Sequence, residues 1–191
     1  AKSKKEIKAI LDSVPDKLKS HPTICHIRNI HFVKKQSSGK DLVFYCGYTS
    51  EEWTPKTALE KGIGGSEEAV INLARELKKL GWNVEVYNNC GYKEQVFDGV
   101  KYKPFWSWNP RDRQDVVILW RHPKMLDFDI NAKAIFLDLH DVLPENELTP
   151  LRLRKLTKIF VKSKAHRKIF PNVEDKYFAI IPNGVDISLF E

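Results

Sequence analysis

Two short and nearly continuous apolar runs constrain this chain most: Asp115-Val116-Val117-Ile118-Leu119-Trp120 and Ala134-Ile135-Phe136-Leu137-Asp138-Leu139. A strand with one wetted face alternates apolar and polar side chains, so runs like these belong to strands covered on both faces. Strands of that kind sit in parallel sheets, with helices packed on either side. The same punctuation recurs along the chain. Leu42 to Cys46 reads as the first strand, Asn83 to Tyr87 as the second, and Val100 to Phe105 as a shorter one after the Asp98-Gly99 turn. Further strands are predicted over Lys158 to Lys162 and Tyr177 to Ile181. Between them lies the clearest helix, in which Val70, Leu73, Ala74, Leu77 and Leu80 share one face, Ser66 stands as N-cap and Gly81 as stop. Helices are also predicted around 150–157 and 163–170. This strand–helix rhythm with short loops predicts an α/β fold: a doubly wound, mostly parallel, Rossmann-like sheet.

A length of 191 residues with 42% hydrophobic side chains suits one domain with a short appendage. The domain is placed at 41–191, and residues 1–40 form a basic N-terminal helix and linker. Within that appendage, apolar residues at 7, 10, 11 and 14 predict a short amphipathic helix, disturbed by Pro15. Residues 20–40 suit a linker or a peripheral ribbon. The first 40 residues hold ten Lys or Arg against three Asp or Glu, so the formal charge of +7 lies there and the remainder is neutral. A neutral body without a nucleic-acid motif argues against nucleic acid as partner. The basic clusters leave two readings open, a solvated linker or a weak contact with an anionic membrane. Cys25, Cys46 and Cys90 are odd in number and unrelated in spacing, so no disulfide framework or metal site is implied. No apolar run approaches the roughly 18 residues of a membrane span, and no signal peptide opens the chain, so a reducing, cytoplasmic setting is expected.

Open parallel sheets bind ligands beyond the carboxyl ends of their strands. Three segments there carry possible chemistry. Gly62-Ile63-Gly64-Gly65-Ser66-Glu67-Glu68 opens directly into the strong helix, where backbone N–H groups and the helix dipole favour an anion. It is neither a phosphate-binding Gly-Lys-Ser/Thr loop nor a GxGxxG loop, since Glu67 stands where the third glycine belongs. A ligand cradle and a plain tight turn stay equally open. His140-Asp141 ends an apolar strand, where the imidazole can bond a sugar hydroxyl or phosphate, or serve structure alone. Consecutive strand side chains diverge, so the two need not pair. Ile180 to Asp186 reads as a strand leaving into a turn.

Taken in order, these segments and the Val161-Lys162-Ser163-Lys164 passage resemble the N-terminal domain of family-four-type GT-B glycosyltransferases over about residues 41–190. No one motif is specific; their order and spacing carry the resemblance. It implies a two-domain enzyme that moves a sugar from a nucleotide-sugar to a glycan or lipid-linked acceptor, with retention of configuration and no cofactor or obligatory metal. His140 would contact the transferred sugar. Gly64, Gly65, Ser66 and Asp141 would bind substrate, the glycines beside the donor diphosphate. Asn183 and Gly184 match the segment leading to the second domain. The C-terminal domain with its paired glutamates does not follow in this sequence, so the chain reads as the acceptor-binding half, inactive in transfer alone. The alternative is a non-catalytic carbohydrate- or nucleotide-binding module of the same fold. Trp106, Trp108 and Trp120 with Arg121-His122 line an acceptor cleft on one reading and pack the core on the other. If the resemblance holds, His140→Ala in the two-domain enzyme lowers turnover without unfolding it; unchanged turnover in a steady-state assay would remove His140 from the mechanism.

Overall fold

The computed structural model describes residues 2–184. Its strands are β1 (Asp41–Tyr45), β2 (Asn83–Asn88), β3 (Gln95–Phe97), β4 (Val100–Pro104), β5 (Gln114–Trp120), β6 (Ala132–Asp138), β7 (Lys158–Val161) and β8 (Phe178–Ile180). Its helices are α1 (Lys4–Ser13), α2 (Pro22–His31), α3 (Pro55–Lys61), α4 (Gly65–Lys79), α5 (Pro150–Leu153) and α6 (Lys164–Arg167). The strands form one sheet in the order β3-β4-β2-β1-β5-β6-β7-β8. Every pairing is parallel except the β3–β4 hairpin. This is the doubly wound, Rossmann-like α/β architecture expected from the apolar runs.

Strand alternation sorts the core into two layers. Val43, Val117, Leu119, Ile135, Leu137, Ile159 and Val161 point to one face, where Leu153 of α5 and Phe170 cover them. Leu42, Phe44, Val84, Val86, Ile118 and Trp120 point to the other, beneath Val70, Ile71 and Ala74 of α4. Both faces of the central strands are thus dry, which is why their sequences hardly alternate.

Several expectations are corrected. The helix read as capped by Ser66 starts two residues earlier, with Gly64 in the cap position and no side-chain cap; the Ser66 hydroxyl bonds the Glu67 carboxylate at 2.8 Å instead. The helices expected over 150–157 and 163–170 are single turns, each capped by its own hydroxyl, Thr149 or Ser163. The Asp98-Gly99 turn joins two strands, since the positive φ of both residues (50° and 75°) is what a two-residue hairpin needs, and β3 is therefore an added edge strand. Helix α3 begins at a Thr54 cap followed by Pro55 and stops at Gly62, whose φ is +70°. Among the described residues no helix is long and apolar enough to cross a membrane.

Within 20–40 the ribbon is replaced by α2 and a tethered strap. The Asn109 side chain donates to the carbonyls of Asn29 (3.3 Å) and Phe32 (3.0 Å), and Arg113 N–H donates to Lys34 O at 2.7 Å. Beyond them, Asp41 and Asp115 at the amino ends of β1 and β5 gather the strap. Asp41 accepts from Lys34 Nζ (2.8 Å), Ser38 N–H (3.0 Å) and Asn83 Nδ2 (3.2 Å). Asp115 accepts from the Asp41 N–H (2.9 Å), Lys133 Nζ (2.6 Å) and the Ser37 hydroxyl (3.0 Å). Burial alone would raise the Asp41 carboxyl, but the Lys34, Ser38 and Asn83 bonds outweigh it and hold the group well below its ordinary value of 3.8. Because its folded value is the lower one, the stabilisation it gives is complete above about pH 4 and lost as pH falls further. Asp41→Asn is expected to cost about 1.5–3 kcal/mol at pH 7, as for hydrogen bonds to a charged group, and to flatten the acid limb of stability against pH in urea titrations.

Candidate functional site

Strand order reverses between β1 and β5: the chain runs from β1 outward through β2 to β4, then returns to place β5 on the other flank of β1. Loops leaving two such strands diverge and open a crevice at their carboxyl ends. At that point Gly47 follows β1 with φ +67°, and the His122 ring occupies the space that a side chain at Gly47 would need. His122 Nε2 lies 2.9 Å from the Cys46 carbonyl oxygen, which can only accept, so Nε2 carries the proton. Burial lowers the His122 pKa, with the neighbouring Arg121 charge acting the same way and the Cys46 bond opposing. The two strand ends are thereby stitched across the crevice by a partly buried imidazole.

Arg121 is the centre of the arrangement. Its backbone N–H still pairs with Asp138 O at 2.9 Å, extending the β5–β6 ladder, while its φ of +64° turns the chain sharply outward. Such a conformation is unfavourable for a side chain as bulky as arginine and persists only where surrounding contacts impose it. The guanidinium lies over the Trp120 ring at 4.6 Å from its centroid, and pairs with Asp141. It also stands 3.5 Å from Ser66 Oγ and 3.9 Å from Glu67 Oε1, in the first turn of α4. One cation therefore joins the start of α4 to the ends of β5 and β6. A cavity of about 490 Å³ lies against it, lined also by Tyr48, Trp120, His122 and Asp141.

His140 is placed differently. It does not pair with Asp141; its Nε2 donates to Asp138 Oδ2 at 3.2 Å, and its side chain is only 4% exposed. Residues two apart on a strand share a face, and the chain keeps that alternation past the last ladder residue. Trp120 packs beside the imidazole at 5.9 Å, and Lys162 Nζ donates to the other Asp138 oxygen at 2.6 Å. Burial works to raise the Asp138 carboxyl, but the His140 and Lys162 bonds together hold it below the usual carboxylate range. These three residues line an apolar groove of about 820 Å³ between α4 and β7, along with Asn183 and Gly184. Val185 and Asp186 of the same motif lie outside the described residues.

The sequence-derived residues are thus partly assembled. Ser66 and Asp141 meet at Arg121, and the exposed Gly64 and Gly65 precede Ser66 at the start of α4; a side chain at Gly65 would meet open space. His140 belongs to the adjoining groove. The three tryptophans do not form one cleft: Trp120 packs with Trp53 under α4, and Trp108 packs with Tyr45 on the opposite face of the sheet. The positive φ of Arg121 and the Gly47–His122 contact left no pattern in the sequence beyond a glycine and a basic pair after apolar runs. Among the described residues no group of three or more His, Cys, Asp or Glu is placed to hold a metal ion. Comparison with protein-family profiles and with curated proteins gives no match to this chain.

Gly47→Ala is expected to cost at least about 1–2 kcal/mol, the left-handed penalty, and to displace the His122 ring. Chemical denaturation with the His122 ring signals followed by NMR checks both.

Proposed function

We propose that this chain is the acceptor-side domain of a retaining GT-B glycosyltransferase, transferring a sugar from a nucleotide-sugar to an acceptor with a second domain completing the donor site. The observation that supports it most is Arg121, in a costly backbone conformation at the switch point of the sheet and in reach of the first turn of α4. Sugar transfer breaks the bond between the anomeric carbon and the diphosphate, forms one to an acceptor oxygen, and leaves growing negative charge on the departing phosphate. A guanidinium beside a helix N-terminus meets that charge as it develops. In this reading Asp141 and Glu67 hold Arg121 until phosphate takes their place, and the Ser66 hydroxyl and Gly65 amide add neutral donors. With Nε2 committed to Asp138, Nδ1 of His140 is the atom left for a ligand, and in a neutral ring it accepts a bond from a sugar hydroxyl. The four-motif resemblance supports the reaction class, and the switch point of the sheet supports the choice of site. A cytoplasmic setting, with the basic N-terminal clusters weakly attracted to an anionic membrane, accompanies the reading.

Proton–nitrogen correlation spectra of the chain with uridine or guanosine diphosphate at millimolar concentration test it. Shifts are expected at the amides of Gly65 to Glu67 and at the Arg121 side chain. Arg121→Gln should weaken binding about tenfold to a hundredfold, the worth of one charge-assisted hydrogen bond. Absence of shifts there, or equal affinity in the variant, would overturn the assignment of Arg121.

A further inference from the structure

A separate cavity of about 660 Å³ lies on the face of the sheet opposite α4, between α2 and the segment that follows β4. Tyr45, Phe105, Trp106, Trp108 and Phe128 are among the residues that line it, so that its wall is rich in aromatic residues. Its two walls are tied together. The Arg28 guanidinium and the Cys25 thiol of α2 both donate to the Trp106 carbonyl, the thiol at 3.5 Å. Tyr45 and Trp108 pack against each other with ring centroids 4.5 Å apart. The volume falls within the roughly 300–1,000 Å³ of small-molecule sites, and an apolar wall with few polar groups is their usual lining. Aromatic walls favour flat partners, which they meet by offset or edge contact. The charged residues on the lining, Arg111 and Asp129, are opposite in sign and give no preference for a charged occupant.

The cavity adjoins the site at the switch point. Tyr48, which lines the Arg121 cavity, meets Phe105 edge-on at 5.8 Å, and His122 meets Tyr45 at the same distance. A ligand seated among the rings would present its exposed end past these pairs, toward Arg121 and Asp141. We propose that this cavity binds a flat, uncharged ring system, the apolar body of the acceptor. The ring-binding itself stands on the cavity; its identification with the acceptor rests on the glycosyltransferase reading above.

The test uses the neutral fluorophore N-phenyl-1-naphthylamine, with 1-octanol as the chain-like comparison. Cys25 lines the cavity and is partly exposed, whereas Cys46 and Cys90 are buried, so a thiol reagent reads Cys25 first. The fluorophore is expected to bind saturably with energy transfer from tryptophan, and at ten times its Kd to slow Cys25 modification about tenfold by mass action. Ile30 lines the same cavity and is 42% exposed, so Ile30→Glu can keep its charge in water while spoiling the mouth; affinity should fall at least about tenfold with the Tm little changed. Three results would overturn the proposal: binding that leaves Cys25 unprotected, protection by octanol but not by the fluorophore, or unchanged affinity in a folded Ile30→Glu protein. No nucleotide enters these measurements, so their failure leaves the transfer reading intact, and failure of transfer leaves ring binding intact.

Discussion

Parallel strands can be joined only by crossovers that carry the chain back to its starting edge, and here every strand but the β3 hairpin obeys that constraint. Loops that follow β1, β5, β6 and β7 therefore leave from one edge of the sheet, however far apart they lie in sequence. Gly47, Arg121, His140 and Lys162 become neighbours for this reason before any of their side-chain contacts form. At the opposite edge Asp41 and Asp115 bind the incoming strap, so that anchoring and the candidate site occupy different ends of the same strands.

At the carboxyl edge the electrostatics are organised by burial. Asp138 is almost dry, and an unpaired carboxylate there would be costly, so it recruits His140 and Lys162 and holds both in place. Arg121 sits further out, where its charge is shared among Asp141, Glu67 and the Trp120 ring. The first cluster is buried and satisfies the Asp138 carboxylate; the second is partly exposed and can exchange partners. In the proposed reading a phosphate would compete with carboxylates for the outer cation without disturbing the inner one.

The strands were legible because burial on both faces leaves uninterrupted apolar runs, and α4 because its apolar positions recur at helical spacing. Helix α2 was not, since none of its residues is fully buried and it is held by Trp106 and Asn109, distant in sequence. Ser66 lost its capping role to Gly64 because the helix begins ahead of it, which leaves its hydroxyl to donate to the neighbouring Glu67 carboxylate. Of the candidate site, His140 and Asp141 were singled out by their position after a strand, and the loop glycines and Ser66 by their position at the start of the strong helix. Their pairings were not: the period of two that puts His140 with Asp138 was available in the sequence, whereas the left-handed turn at Arg121 depends on where β6 ends. The aromatic cavity was hidden for the same reason as α2, which forms one of its walls.

The central claim is sugar transfer, and the most direct measurement is product analysis by NMR from the gene product in its full natural reading frame, incubated with uridine and guanosine diphosphate sugars and ring-bearing acceptors. The predicted result is a glycoside with the anomeric configuration of the donor, together with release of the nucleoside diphosphate. Nucleotide bound at Arg121 with no glycoside formed from any pair, or a product of inverted configuration, would contradict it, the first outcome pointing to a recognition module and the second to a different reaction course.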